Sequence, residues 1–383
     1  MEWLEQLTQG ESPIGLLTIG ATVGAIGGGL LTWFKNPDAR RLKRERDEAR
    51  DERDRLSDEV ETLGSKLTNL DRLQVALDGQ EDELWRLHAV DMPNELASRL
   101  RSGKPKIVTV MNLKGGVGKT TTVANLAVHF AKQGLRVLAI DLDYQGSLSR
   151  MMMLAANHRQ PDTPLATEFL KKTSDPPALQ RQVAELGFSS KASPKINVDL
   201  VACGQPFDKA ENRLMLRWLI GDETDDVRYR LGRVLTSDPF ASAYDLVLID
   251  APPRMSTGAI NALATSQVVI VPTVLDRLSA EVIGNFTSRL NRLRDMNPAL
   301  EYVGAVGTLR GQLGGADVSQ GARDIAERGL AKWGGHSYLF DSDIKYFTDL
   351  AREAGSDIGY LRHQDVRDAY GLLADEFKKQ LRL

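Results

Sequence analysis

The stretch that most constrains the fold is Lys106-Ile-Val-Thr-Val-Met111 followed by Asn112-Leu-Lys-Gly-Gly-Val-Gly-Lys-Thr-Thr-Thr122. The first part is a β-branched run that predicts a buried strand, and the residues after the glycines predict a helix through about Gln133. A glycine-rich turn between strand and helix lets backbone N–H groups close around phosphate oxygens, and the helix N-terminus adds a favourable dipole. Gly115, Gly116, Val117, Gly118, Lys119, Thr120 and Thr121 are the candidate binding residues. Lys119 is placed to reach β and γ phosphates, and the Thr120 hydroxyl to bind Mg²⁺.

Two later strands deliver carboxylates. Arg136-Val-Leu-Ala-Ile-Asp-Leu-Asp-Tyr-Gln-Gly146 ends a strand in Asp141 and Asp143. Tyr244-Asp-Leu-Val-Leu-Ile-Asp-Ala-Pro-Pro253 brings Asp250 to a strand's C-terminal end, where open α/β sheets bind ligands and hold Mg²⁺. The alternative for each aspartate taken alone is a helix N-cap after a strand, and it weakens when the three are taken together. Further strands are expected at Gln267 to Thr273, Tyr302 to Leu309 and Ile196 to Cys203, with a helix from Asp208 to Ile220. The expected fold class is α/β, a doubly wound and mainly parallel sheet.

Lys114-Gly-Gly-Val-Gly-Lys-Thr120 resembles the deviant Walker A motif of the ParA/MinD family of ATPases, and the likeness extends from Lys106 to the C-terminus. The resemblance implies ATP and Mg²⁺ as cofactors and an ATP-sandwich dimer, with Lys114 as the signature lysine crossing to the partner's phosphates. It further implies Asp143 as the group orienting the attacking water and Asp141 as support for Mg²⁺ and the loop. The catalytic set is then Lys114, Lys119 and Asp143, and the metal set Thr120, Asp141 and Asp250. Weak hydrolysis, stimulated by an unidentified protein partner that is positioned, recruited or switched, would follow. Three departures stand out: Leu113 where the ordinary P-loop has glycine, Tyr144 where the family usually has proline, and Thr308-Leu-Arg310 without the family's common asparagine. No Asn-Lys-x-Asp guanine-reading motif occurs in the sequence.

Ahead of this domain the chain changes character twice. Ile14 to Phe34 is 21 uncharged residues, six of them glycine, long enough at about 1.5 Å per residue to cover a ~30 Å hydrocarbon layer. Glu2, Glu5 and Glu11 precede it; Lys35, Arg40, Arg41 and Lys43 follow it. The positive-inside rule therefore predicts a retained single pass of the inner, cytoplasmic membrane, with the N-terminus out and the remainder in the cytoplasm. Gly20, Gly24 and Gly28 would share one face, suited to a second helix. Next, Leu56, Val60, Leu63, Leu67 and Leu70 form the apolar half of a heptad seam whose first half, at Arg46 and Arg53, is polar. That predicts a coiled coil and self-association, with a lone solvated helix as the alternative. The expected units are 1–36 with the span, 37–78 coiled coil, 79–104 linker with a short helix from Glu81 to His88, and 105–383 ATPase domain.

A net charge of −3 provides no global basic field, so nucleic-acid binding would need a local patch. One cysteine, Cys203, excludes an internal disulfide. Two other functions fit the pattern less closely. One is a signalling or defence module acting through the span. The other is a polysaccharide-type tyrosine kinase, which would need a tyrosine-rich tail that this chain lacks.

Overall fold

The computed structural model describes residues 37–77, 81–159, 165–172, 174–190, 193–309, 316–345, 347 and 356–381. The chain divides into two compact units, Met1–Thr68 and Asn69–Leu383.

The expected span at 14–34 lies outside the described residues. Among the described residues, no helix is long and apolar enough to cross a membrane, which corrects the single-pass inner-membrane location. The physical reason is plain in the longest helix, α1 (Pro37–Leu77). It carries Arg, Asp and Glu throughout its first half, with i,i+4 pairs such as Arg44–Glu48 at 2.8 Å. Each such charge would cost about 2.5–3.5 kcal/mol at the centre of a bilayer. Leu42, Leu56, Val60, Leu63 and Leu67 on α1 are 50 to 67% exposed.

Of the expected linker 79–104, the described residues 81–104 contain α2 (Glu81–Leu84) and α3 (Asn94–Ser102) and are packed. Trp85 is completely buried, stacked on Trp218 at 5.6 Å between centroids. Its Nε1 donates to the Met255 carbonyl at 2.8 Å. Buried Arg228 donates to the carbonyls of Trp85 (2.8 Å) and Ala89 (2.7 Å). Asp82, also buried, accepts from Arg292 Nε at 2.7 Å.

The sheet contains β1 (Lys106–Val110), β2 (Val137–Asp141), β3 (Ala184–Ser190), β4 (Ser193–Val201), β5 (Leu246–Asp250), β6 (Val268–Val274), β7 (Tyr302–Thr308) and β8 (His336–Leu339). Their order is β3-β4-β2-β5-β1-β6-β7-β8, parallel throughout except for the β3–β4 pair. The expected strands agree with β1, β2, β4, β5, β6 and β7 to within a few residues. The β3 and β8 edges carry no comparable apolar run: Gly187 interrupts one, and His336 and Ser337 are exposed on the other.

The central strands are apolar on both faces, as parallel strands covered by helices require. Val108, Val110, Ala139 and Leu248 face α4 (Lys119–Lys132), α5 (Ser147–Ala155) and the C-terminal helix. Ile107, Ile140 and Ile249 point to the opposite face, which α6 (Phe207–Leu219), α7 (Thr257–Thr265), α8 (Arg277–Arg292) and α9 (Ala316–Leu330) help to cover. The last helix, α10 (Gln364–Leu381), returns to the α4 face and stacks Phe377 beside Phe130 and Phe340. The helices following β1 and β5 therefore leave toward opposite faces. Their connecting loops diverge and open a crevice at the carboxyl ends of the two strands.

Candidate functional site

The crevice is built around the loop from Asn112 to Gly118. Asn112 anchors it: its Nδ2 donates to the Pro272 carbonyl at 2.7 Å, and its Oδ1 accepts from Lys114 N at 2.9 Å. Gly116 and Gly118 adopt φ of 72° and 86°, a left-handed backbone where a side chain would be strained. From the far side, Thr308 Oγ1 donates to the Val117 carbonyl at 2.8 Å, tying the end of β7 to the loop. Among the described residues, the N–H groups of Gly115, Gly116, Val117 and Gly118 donate to no protein acceptor. A Cβ placed on Gly115 or Gly116 would meet nothing within 4 Å, so the space above these amides is open.

That space is a cavity of about 450 Å³, within the range of small-molecule sites. Gly115, Gly116, Gly118, Lys119, Thr120, Thr121 and Asp143 all line it. Met151, Ile344, Phe347 and Tyr370 also line it and give it apolar surface suited to a flat ring. Leu309, also in the wall, has φ 55°, an uncommon conformation for a bulky residue.

Lys119 is buried, and its Nζ donates to the Lys114 carbonyl at 3.2 Å. Burial pushes its pKa down, while the carboxylates of Asp250 and Asp143 act in the opposite sense. Thr120 Oγ1 donates to Asp250 Oδ2 at 2.7 Å. The other oxygen, Asp250 Oδ1, is buried without a hydrogen-bond partner. In the sheet register Asp141 sits directly beside Asp250. Asp141 accepts from Ser149 N (2.9 Å), Ser149 Oγ (2.7 Å) and Asp143 N (3.1 Å). Burial nevertheless pushes it up to about 6. Asp250 is raised well above the carboxylate range, first by burial and then by the neighbouring Asp141 charge.

These two acids, one Thr hydroxyl and an orphaned carboxylate oxygen form a donor set that a hard divalent cation fits, since the added charge would reverse the penalty on both carboxylates. Among the described residues there is no cluster of three His, Cys, Asp or Glu able to hold a metal unaided. A cation here would therefore complete its shell with the Thr hydroxyl and ligand oxygens.

Four of the candidate residues do not line the cavity. Val117 is core and contributes its carbonyl; Asp141 and Asp250 lie beneath the floor. Lys114 turns aside, and its Nζ donates to Ser279 Oγ at 2.7 Å. Ser279 in turn donates to Asp276, the N-cap of α8. Asn112, Ser149 and Thr308 escaped sequence reasoning. Only Asn112, a polar residue closing an apolar strand just before the glycines, carried any local signal.

The family match is to the AAA domain and covers residues 105–302, just over half of the chain. The chromosome-partitioning ATPase Soj of Thermus thermophilus is 32% identical over 54% of this chain and 70% of its own length. An uncharacterized protein of Mycobacterium tuberculosis is 31% identical over 54% of this chain, which spans 59% of that relative's length. Among solved structures, an ATP complex of a McdA variant from Cyanothece superposes with a TM-score of 0.54 at 18% identity, covering 72% of this chain and 96% of that one. At that identity the likeness speaks for the fold alone. With the family matched across half the chain and a partitioning ATPase covered over two thirds of its length, the chain belongs to the AAA domain family, among its ParA/MinD-like P-loop ATPases.

Proposed function

We propose that the chain binds ATP with Mg²⁺ in the crevice and hydrolyses it, using ATP-dependent dimerisation to position, recruit or switch a protein partner. The observation that carries this is the Thr120–Asp250 pair with Asp250 Oδ1 buried and unpartnered beneath an open glycine loop. The free amides of Gly115 to Gly118, with Lys119, would hold the phosphates. Thr120, Asp141 and Asp250 would hold Mg²⁺, directly or through water. The ion held there would supply positive charge against the negative charge developing on the phosphate. Asp143, at the cavity wall, would orient the attacking water. The printed role of the relative Soj, a chromosome-partitioning ATPase, supports this choice over other nucleotide chemistry.

Lys114 is assigned to the partner's phosphates in an ATP-sandwich dimer. To serve there it must leave Ser279, so dimer formation and release from the α8 N-cap would be one event. Helix α1, with Leu56, Val60, Leu63 and Leu67 exposed along a heptad seam, is assigned to self-association as a coiled coil. Light scattering of the full chain with Mg-ATP tests the scheme. Asp143→Ala should accumulate an ATP-bound dimer that wild type turns over. Lys114→Ala should not dimerise on ATP, and an unchanged dimer in that variant would remove its assigned role.

A further inference from the structure

The loop carrying Asp143 is not free-standing. Tyr144, the next residue, lies with its ring 5.4 Å from the Arg254 guanidinium, a cation–π distance. Arg254 belongs to the loop that follows Asp250, and Pro253 in that loop lines the same cavity as Asp143. The other side of Arg254 is fixed by an ion pair between its Nη2 and Glu211 Oε1. Glu211 is 1% exposed, on α6, and its second oxygen accepts from Gly258 N at 3.1 Å at the start of α7. Its main-chain carbonyl accepts from Thr257 Oγ1 at 2.9 Å. Arg254 Nε is buried and has no partner, so the guanidinium retains one donor toward its surroundings.

A buried carboxylate held by two neighbouring elements is a rigid post. Arg254 extends from that post to an aromatic ring, and the ring is one peptide from Asp143. We propose that Arg254, clamped between Glu211 and Tyr144, is a positioning residue that holds the Asp143 loop in register with the loop after Asp250. It touches neither nucleotide nor water in this role. The proposal rests on the ATP-hydrolysis assignment above and deepens it. It also accounts for Tyr144: a proline there would supply no π face for the guanidinium, so this chain gains a tether that the usual residue cannot offer.

The test uses the full chain and two measurements. The first is steady-state Mg-ATP turnover. Tyr144→Ala and Arg254→Ala should lower kcat by about ten- to a hundred-fold while KM stays within about two-fold, the signature of misplaced rather than missing groups. Tyr144→Phe, which keeps the ring face, should restore kcat to within about two-fold of wild type. The second is amide hydrogen exchange of residues 142–146 without nucleotide, which should rise in Tyr144→Ala and Arg254→Ala and stay at the wild-type level in Tyr144→Phe. Unchanged kcat in both alanine variants, or a Tyr144→Phe as impaired as Tyr144→Ala, would overturn the proposal. Normal wild-type turnover with unchanged exchange at 142–146 would overturn the clamp alone. Absence of any wild-type turnover would overturn the ATPase assignment, and the catalytic part of this proposal with it.

Discussion

Leu63 and Val123 both sit in helices, yet Leu63 is 54% exposed and Val123 is completely buried. Val123 belongs to α4, whose apolar stripe lies on the sheet, and its helix is stabilised by tertiary packing. Leu63 belongs to α1, which among the described residues has local support: i,i+4 pairs at Arg41–Glu45 and Arg44–Glu48 on exposed side chains, each worth only a few tenths of a kcal/mol. In the proposed self-association the heptad seam of α1, exposed here, would be covered by a second copy, whereas the stripe of α4 has found its partner inside the chain. A sequence can carry the same apolar period for two purposes, folding and association. Burial separates them.

The contrast can be broken from either side. The largest effect is expected at Trp85, where the packed segment after α1 meets the ATPase unit. Trp85→Ala removes a fully buried indole, its stack on Trp218 and the bond to Met255, and should cost about 3–5 kcal/mol in denaturant unfolding. A loss under about 1 kcal/mol would mean that residues 81–89 are an appendage after all.

Next is His129 on α4, buried between Tyr360 and Gln133. Burial lowers its pKa to about 4. The unfolded chain takes up a proton near pH 6.5 while the folded chain resists until about 4. Its contribution is therefore intact above pH 6.5 and is lost as pH falls through that window. Because the raised Asp141 and Asp250 act in the opposite sense over the same range, the slope is read from the difference between wild-type and His129→Gln melts from pH 7 to 4, in which wild type loses the more stability as pH falls.

The smallest effect on the ATPase unit is expected from α1. Leu63→Asp should leave the melting of that unit within about 0.5 kcal/mol of wild type, because the side chain is exposed, while it weakens self-association measured by sedimentation. A large loss of unit stability would contradict the division between the two regions.

Much of the site was legible because its signals are local. The glycines, Lys119 and Thr120 are consecutive, and Asp141 and Asp250 each close a strongly apolar strand. What stayed hidden is held by distant partners. Asn112 reaches Pro272 160 positions away, Thr308 reaches Val117 across 191, and Arg254 meets Glu211 across 43. No periodicity encodes such pairings. The packing of residues 81–104 is hidden for a related reason: their short helices have little pattern, and one buried tryptophan outweighs the Gly and Pro that suggest a linker. The membrane location, inferred from an uncharged run and flanking charges, is the expectation the structure overturns among its described residues.

The most direct test of the central claim is phosphate release from ATP by the full chain, with and without Mg²⁺, in wild type and Lys119→Ala. Turnover that requires Mg²⁺ and falls by about a hundred-fold or more in Lys119→Ala is the predicted result. Wild-type protein that releases no phosphate, or a Lys119→Ala variant that matches it, would contradict the account.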